Sequence, residues 1–133
     1  MKRVMFICKT NAVYSQIAEG FAKHLGVGSI QVTSAGLAAS QVNPMAISTM
    51  NEAGVNISRQ TSKVLSDFNP QDFDIVISLC GDAVELPLDW IAAERFENWP
   101  LAASDHPPDI LSEVRDQIRE RVIHLIESLD TSH

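Results

Sequence analysis

The amino-acid sequence predicts a single α/β domain over residues 1–133, with a parallel sheet and helices on both of its faces. Apolar runs of strand length alternate with helical segments, and this alternation is typical of parallel sheets joined by crossover helices. The segments in chain order are VMFIC, SQIAEGFAKHL, SIQVTSAG, PMAISTMNEAG, DFDIVISLC and DILSEVRDQIRERVIHLIESL. The length and the 45% hydrophobic content allow one buried core but not two ordinary domains.

The first strand and the first helix meet at a cysteine. The run KRVMFIC ends at Cys8, and the helix that follows is predicted to have Ser15 as its N-cap and Gly26 as its stop. Backbone N–H groups of residues 9–15 would converge at the positive end of this helix, which makes the junction a candidate anion site. A thiol there is expected to be partly ionised at neutral pH, whereas the alternative is an inert buried cysteine at a strand end.

The second helix and the next buried strand have similar boundary signals. Pro44 suits the first turn of the second helix, and Gly54 suits its end. The run DFDIVISLC predicts a strand that ends at Cys80. Because ligands in open α/β sheets bind beyond the carboxyl ends of the strands, Cys8 and Cys80 are expected at one functional edge.

The last helix is predicted to be part of the core. Its apolar residues recur at intervals of three and four, which places them in one stripe against the sheet. They are Ile110, Leu111, Val114, Ile118, Val122, Leu125, Ile126 and Leu129. Two proline-containing stretches before it, Pro87 to Pro100 and Ala102 to Pro108, are predicted to be loops or short elements near the site.

Composition and charge exclude several functional classes. The net charge of −7 argues against nucleic acid or an anionic membrane surface as a general partner. No run approaches the length of a membrane span, and Lys2 and Arg3 lead directly into a strand instead of a signal peptide, so a cytoplasmic location is expected. The four histidines and two cysteines show no metal-ligand spacing, and no metal or bound cofactor is expected.

The pattern Cys-x-x-Asn-x-x-x-Ser, with a strand before it and SQIAEGFAK after it, resembles the phosphate loop of low-molecular-weight protein tyrosine phosphatases and of the arsenate reductases that share their fold. Further similar segments are VTSAG at Val32 to Gly36, EAGVNISRQTSKVL at Glu52 to Leu65, and FENW near Trp99. The resemblance therefore covers nearly the whole chain. It implies a four-stranded parallel sheet in a single domain.

The resemblance gives Cys8 the role of a nucleophile that attacks arsenic or phosphorus, while backbone amides stabilise the charge on the oxygens. It assigns an oxyanion-binding loop to Lys9, Thr10, Asn11, Ala12, Val13, Tyr14 and Ser15. Ser15 would donate its hydroxyl to the thiolate, and Asn11 would brace the loop. In the family the residue before the serine is an arginine, but here it is Tyr14, which offers one O–H donor and no charge.

The segment Leu79 to Ala83 resembles the second motif of the reductases, in which a resolving cysteine ends a strand. Cys80 fits that role, although an inert thiol is an equal alternative. Asp82 and Pro87 stand where relatives of the glutaredoxin-coupled and thioredoxin-coupled types have a third cysteine, so a relay through three thiols is excluded. In the phosphatases an aspartate after the tryptophan is the general acid, and Asp105 is the candidate here, two residues beyond the expected place.

Three functions follow from these features. The first is an arsenate reductase of weakened or redirected activity, with thioredoxin, glutaredoxin or glutathione as reductant. The second is a non-catalytic binding module on the same fold that holds a small oxyanion, another small ligand or a protein partner. The third and least favoured is a phosphatase, because both Tyr14 and the displaced Asp105 depart from what that chemistry requires.

Overall fold

A four-stranded parallel sheet lies at the centre of the fold. The structure is a computed structural model that describes residues 2–9, 13–38, 40–79, 86–93, 95–99 and 111–130. The strands are β1 (Lys2–Cys8), β2 (Ile30–Gly36), β3 (Ile75–Ser78) and β4 (Arg95–Asn98). They occur in the order β2-β1-β3-β4, and each neighbouring pair is parallel. The predicted fold class is confirmed.

Helices cover both faces of this sheet. They are α1 (Tyr14–Leu25), α2 (Pro44–Glu52), α3 (Leu88–Ile91) and α4 (Leu111–Asp130), with two short 3-10 helices at Leu65–Asp67 and Pro70–Asp72. Within the described ranges, no helix is both long enough and apolar enough to cross a membrane. Because all neighbouring strands are parallel, the alternation of strands and helices in the sequence reflects crossover connections between them.

The central strand β1 is buried on both faces, which explains its continuous apolar sequence. Val4, Phe6 and Cys8 belong to the core that β1 shares with α1, α2 and α4. Met5 and Ile7 belong to the core on the opposite face. Alternate residues of β1 thus support two separate cores, and Cys8 projects into the one that contains α1.

The apolar stripe of α4 packs as the spacing predicted. Val114, Ile118, Val122 and Leu125 are buried in the same core as β1 and α1, and the partly buried Ile126 and Leu129 pack against it. Ile110 and the side chain of Leu111 lie outside the described part of the chain. The described part of this stripe is structural and contributes no group to the candidate site.

The helix boundaries agree with the sequence signals at three positions. Pro44 is the first residue of α2, Gly26 is the C-cap of α1, and Gly54 follows the C-cap of α2 with φ of +80°. Ser15 is different, and its predicted role as N-cap is wrong. The N-cap is Val13, whose carbonyl accepts from the N–H of Ile17 at 2.9 Å. Ser15 lies inside the first turn, and its hydroxyl contacts Cys8 instead of capping the helix.

The stretch from Pro87 to Pro100 contains short elements, as expected: both α3 and β4 have four residues. Sequence periodicity did not locate β4, because its residues are only partly buried or exposed and carry no continuous apolar run. The second stretch, Ala102 to Pro108, lies outside the described residues.

Helix α1 lies unusually close to the chain that follows α2. A Cβ at Gly20 would come within 2.6 Å of Cγ2 of Ile57 and 3.0 Å of Cε of Met50. Both neighbours are fully buried, so neither side chain has open space to move into. The absence of a side chain at Gly20 is therefore a packing requirement.

The substitution Gly20→Ala should lower the free energy of unfolding by about 1–3 kcal/mol, because overpacking exceeds the gain of about 1 kcal/mol in helix propensity. Urea denaturation measures this difference. The double variant Gly20→Ala/Ile57→Ala is the control, since removal of the clashing branch should make the two losses less than additive. Strict additivity, or a more stable Gly20→Ala protein, would contradict the packing argument.

Candidate functional site

The candidate site is centred on the thiol of Cys8, the last residue of β1. This residue is only 6% exposed. Its Sγ lies 2.8 Å from Oγ of Ser15, which is fully buried in the first turn of α1. Either atom can be the donor in this contact. When the thiol is ionised, Ser15 must donate, and the hydroxyl then stabilises the thiolate as the sequence resemblance implied.

The direction of α1 favours negative charge at Cys8. The thiol touches the second residue of the helix, so it lies at the positive end of the helix dipole. No acidic residue occupies the first turn of α1 to offset that field. The geometry therefore supports a nucleophilic thiol or a bound anion at this end of the helix.

Tyr14 is an uncharged side chain near the thiol of Cys8. It is the first residue of α1, is partly buried, and packs against the core that contains Cys8. Burial raises the pKa of the Tyr14 hydroxyl above its ordinary value of 10.0, and the negative charge of an ionised Cys8 raises this pKa further. The phenol is therefore protonated at physiological pH and carries no charge that could balance an oxyanion.

Residues 36–38 support the start of the loop. The N–H of Leu37 donates to the carbonyl of Cys8 at 3.3 Å, and the N–H of Ala38 donates to the carbonyl of Lys9 at 3.1 Å. The pairing of β1 with β2 thus continues past the end of both strands. The side chain of Lys9 is exposed, which agrees with its interpretation as a surface lysine that could still attract an anion.

Sequence reasoning missed a buried polar group on α1. Glu19 is only 2% exposed, and it accepts a short hydrogen bond from the hydroxyl of Ser34 on β2. Its carboxylate also pairs with Nζ of Lys23 at 2.6 Å and with Nζ of Lys63 at 3.5 Å. The two ammonium groups compensate a charge whose burial would otherwise be costly.

A signal for this group was present in the sequence. Gln16 and Glu19 are both buried and lie three residues apart on α1, among the buried apolar residues Ile17, Ala18 and Phe21. Two polar side chains within an apolar helix face indicate a specific buried network. The partners of that network could not be read from the sequence, because Gln60 and Lys63 are 44 residues away from them along the chain.

Several predicted site residues lie outside the described part of the chain. They are Thr10, Asn11 and Ala12 of the loop, the candidate resolving thiol Cys80, and the candidate acid Asp105. The structure brings together Cys8, Val13, Tyr14 and Ser15, with Lys9 beside them. Among the described residues, no group of three or more His, Cys, Asp or Glu side chains is arranged to hold a metal ion.

Replacement of Ser15 tests the hydroxyl contact. Ser15→Ala should slow the alkylation of Cys8 by iodoacetamide at neutral pH about tenfold or more, because a hydrogen bond to a charged group contributes about 1.5–3 kcal/mol. Alkylation quenched at timed intervals and followed by mass spectrometry measures the rate at Cys8. Thr49→Ala removes a buried hydroxyl on α2, away from this contact, and is the matched control. Equal rates in both variants would contradict the role of Ser15.

Alkaline titration tests the environment of Tyr14, which is the single tyrosine of the chain. Its tyrosinate absorbance should rise with a midpoint above pH 10.0 in the folded protein and near 10.0 in denaturant. The pKa of Tyr14 is higher in the folded than in the unfolded protein, so the protonated phenol stabilises the folded state. This contribution to the free energy of unfolding is complete below pH 10.0 and is lost as pH rises through the pKa of the folded protein. Cys8→Ser should lower the folded midpoint without abolishing the shift, since burial is the larger cause. A folded midpoint at or below 10.0 would refute this.

Comparisons with known proteins agree with the geometry. Residues 3–133 match the family described as low molecular weight phosphotyrosine protein phosphatase. A glutaredoxin arsenate reductase from Synechocystis sp. is 51% identical over 130 residues, which cover 97% of this chain and 99% of that protein.

Two solved structures show the same architecture. An arsenate reductase in the phosphate-binding state has a TM-score of 0.90 at 51% identity, covering 97% of this chain and 99% of the other. The thioredoxin-dependent arsenate reductase of Corynebacterium glutamicum has a TM-score of 0.80 at 32% identity, covering 100% of this chain and 64% of the other. Because the match to the family covers residues 3–133, the chain belongs to the low molecular weight phosphotyrosine protein phosphatase family.

Proposed function

We propose that the protein is an arsenate reductase in which Cys8 is the nucleophile. One observation carries the proposal: Sγ of Cys8 lies 2.8 Å from Oγ of Ser15 at the positive end of α1. Such a contact favours a thiolate and a bound oxyanion at the same place. The relatives named above are arsenate reductases, and they give no support to the alternative of a fold kept for binding alone.

The proposed reaction begins with attack of the Cys8 thiolate on arsenic(V). A sulfur–arsenic bond forms, one oxygen leaves as water, and backbone N–H groups of residues 9–15 stabilise the charge on the remaining oxygens. We propose Asp105 as the acid that protonates the leaving oxygen. A second thiolate then attacks the sulfur of Cys8, so that two thiols become a disulfide and arsenic gains the two electrons to leave as arsenite.

We propose Cys80 as the second thiol. The register of β1 and β3 pairs Ile7 with Ser78, and the N–H of Leu79 donates to the carbonyl of Ile7 at 2.7 Å. Leu79 therefore lies beside Cys8, where adjacent strands are about 4.8 Å apart. Cys80 lies outside the described residues, but it directly follows Leu79 in the sequence. This adjacency supports the choice of Cys80 as the thiol that forms a disulfide with Cys8.

An external thiol must restore the reduced protein. The chain has two cysteines, and both would be consumed in the disulfide. The relatives named above include one glutaredoxin-coupled and one thioredoxin-coupled reductase. We therefore propose thioredoxin, glutaredoxin or glutathione as the reductant, in the reducing cytoplasm that contains all three.

Because Tyr14 stands in place of a charged arginine, we expect the protein to reduce arsenate slowly. A missing oxyanion-hole donor typically lowers the rate about 100- to 1000-fold, and a neutral phenol cannot replace the two hydrogen bonds and the charge of a guanidinium. The substitution Tyr14→Arg should therefore raise kcat/KM for arsenate by about 100-fold or more. Arsenite production measured with each of the three reductants in turn gives this comparison.

The same assay separates the proposed function from its alternative. Wild-type turnover that disappears in Cys8→Ser and falls strongly in Cys80→Ser is the expected result. Turnover that persists in Cys8→Ser would overturn the nucleophile assignment. Absence of turnover in wild type and in Tyr14→Arg, with all three reductants, would show that the fold serves binding instead.

A further inference from the structure

The first turn of α1 must be held in place by contacts outside the helix. Its N-cap residue, Val13, makes no side-chain hydrogen bond to the helix, and its first turn contains no acidic residue. These are the two usual local devices that fix a helix N-terminus. The position of Ser15, and with it the contact to Cys8, therefore depends on tertiary interactions.

The residue directly after Ser15 makes such interactions. Nε2 of Gln60 donates to the side-chain Oε1 of Gln16 at 2.7 Å and to its backbone carbonyl at 3.1 Å. Nε2 of Gln16 donates in turn to the carbonyl of Thr61 at 2.9 Å. Gln16 is fully buried, so water cannot replace these partners. One residue of the first turn is thus held through both its backbone and its side chain.

Residues 60–63, which we call the strap, also reach the other side of the thiol. The carbonyl of Lys63 accepts from the N–H of Gly36 at 2.9 Å, and Gly36 is the register partner of Cys8 in the pairing of β1 with β2. A Cβ at Gly20 would lie 3.6 Å from Oε1 of Gln60, so α1 also packs closely against the strap at this position. The strap thus connects α1, which carries Ser15, to the end of β2, which is paired with β1 at Cys8.

We propose that Gln60 is a positioning residue for the Cys8 thiol, acting through Gln16 and Ser15 without touching the thiol itself. The inference rests on the proposed role of Cys8 as the nucleophile. Without the Gln60 amide, the backbone carbonyl and Oε1 of Gln16 each lose a buried hydrogen-bond donor. The first turn of α1 then shifts so that these oxygens can reach another donor. Because Ser15 is in that turn, its hydroxyl moves away from the position 2.8 Å from Sγ.

The substitution Gln60→Met tests this, since methionine has a similar length and no hydrogen-bond donor. Alkylation of Cys8 in the folded protein should slow about tenfold, which is the loss expected when the hydrogen bond to the thiolate is weakened. Gln60→Glu is the second variant, because it keeps the shape and replaces the donor by an acceptor. Gln71→Glu makes the same chemical change at an exposed position and is the matched control.

A double-mutant cycle with Ser15→Ala separates positioning from general stabilisation. If Gln60 acts through Ser15, Gln60→Met should slow alkylation about tenfold in wild type and less than about twofold in the Ser15→Ala background. Wild-type rates in both Gln60 variants, or an equal loss in both backgrounds, would overturn the proposal. The thermal midpoint of each variant shows that the measured rates belong to folded protein.

The alkylation test of Gln60 does not depend on whether the protein reduces arsenate. Slower alkylation in Gln60→Met together with no arsenate reduction in wild type would leave the positioning role intact and refute the proposed function. Arsenate reduction in wild type with unchanged alkylation and unchanged kcat in Gln60→Met would refute the positioning role alone. A pH profile of alkylation should shift to higher pH in Gln60→Met and stay in place for Gln71→Glu, a difference that loss of stability alone does not produce.

Discussion

The contact between Sγ of Cys8 and Oγ of Ser15 is the constraint on which the rest of the site depends. It joins the end of β1 to the first turn of α1, and both residues are buried, so the 2.8 Å between the two side-chain atoms limits how the strand end and the helix can meet. Parallel pairing fixes the strand end, and packing of the apolar face of α1 in the shared core fixes the helix. The geometry of the thiol therefore depends on how the central strand β1 and helix α1 are placed in the core.

Backbone dipoles, more than side-chain charges, would attract an anion to the proposed site. The whole chain has a net charge of −7, and Lys9 is the single charged residue among residues 8–15. Tyr14 adds a donor whose raised pKa keeps it neutral. The proposed oxyanion would thus be attracted chiefly by N–H groups and the positive end of α1, which act at short range. Such a site depends strongly on the accurate placement of the helix.

The buried polar groups on α1 provide that placement. Gln16 binds the strap, and Glu19 binds Ser34 on β2 as well as Lys63 of the strap. Apolar packing alone would allow small rotations of the helix, whereas each buried hydrogen bond has a single favourable geometry. The cost of burying these polar groups is offset by their mutual satisfaction, and the result is one defined orientation of the first turn.

The sequence by itself determined the fold class, the buried central strand, the apolar stripe of α4, three of the helix boundaries and the position of Cys8 at a strand end. Each of these depends on periodicity or on local backbone preferences, which neighbouring residues express directly. The family resemblance already implied the contact of Ser15 with the thiol. Only the tertiary structure decided that Ser15 does not also cap the helix, that residues 95–98 form the strand next to β3, and that Gln60 and Lys63 meet α1. The place of residues 95–98 in the sheet and the contacts of Gln60 and Lys63 depend on residues far apart in the chain, which a local pattern does not identify. A polar side chain in an apolar helix face indicates that a partner exists, but the fold alone selects which partner it is.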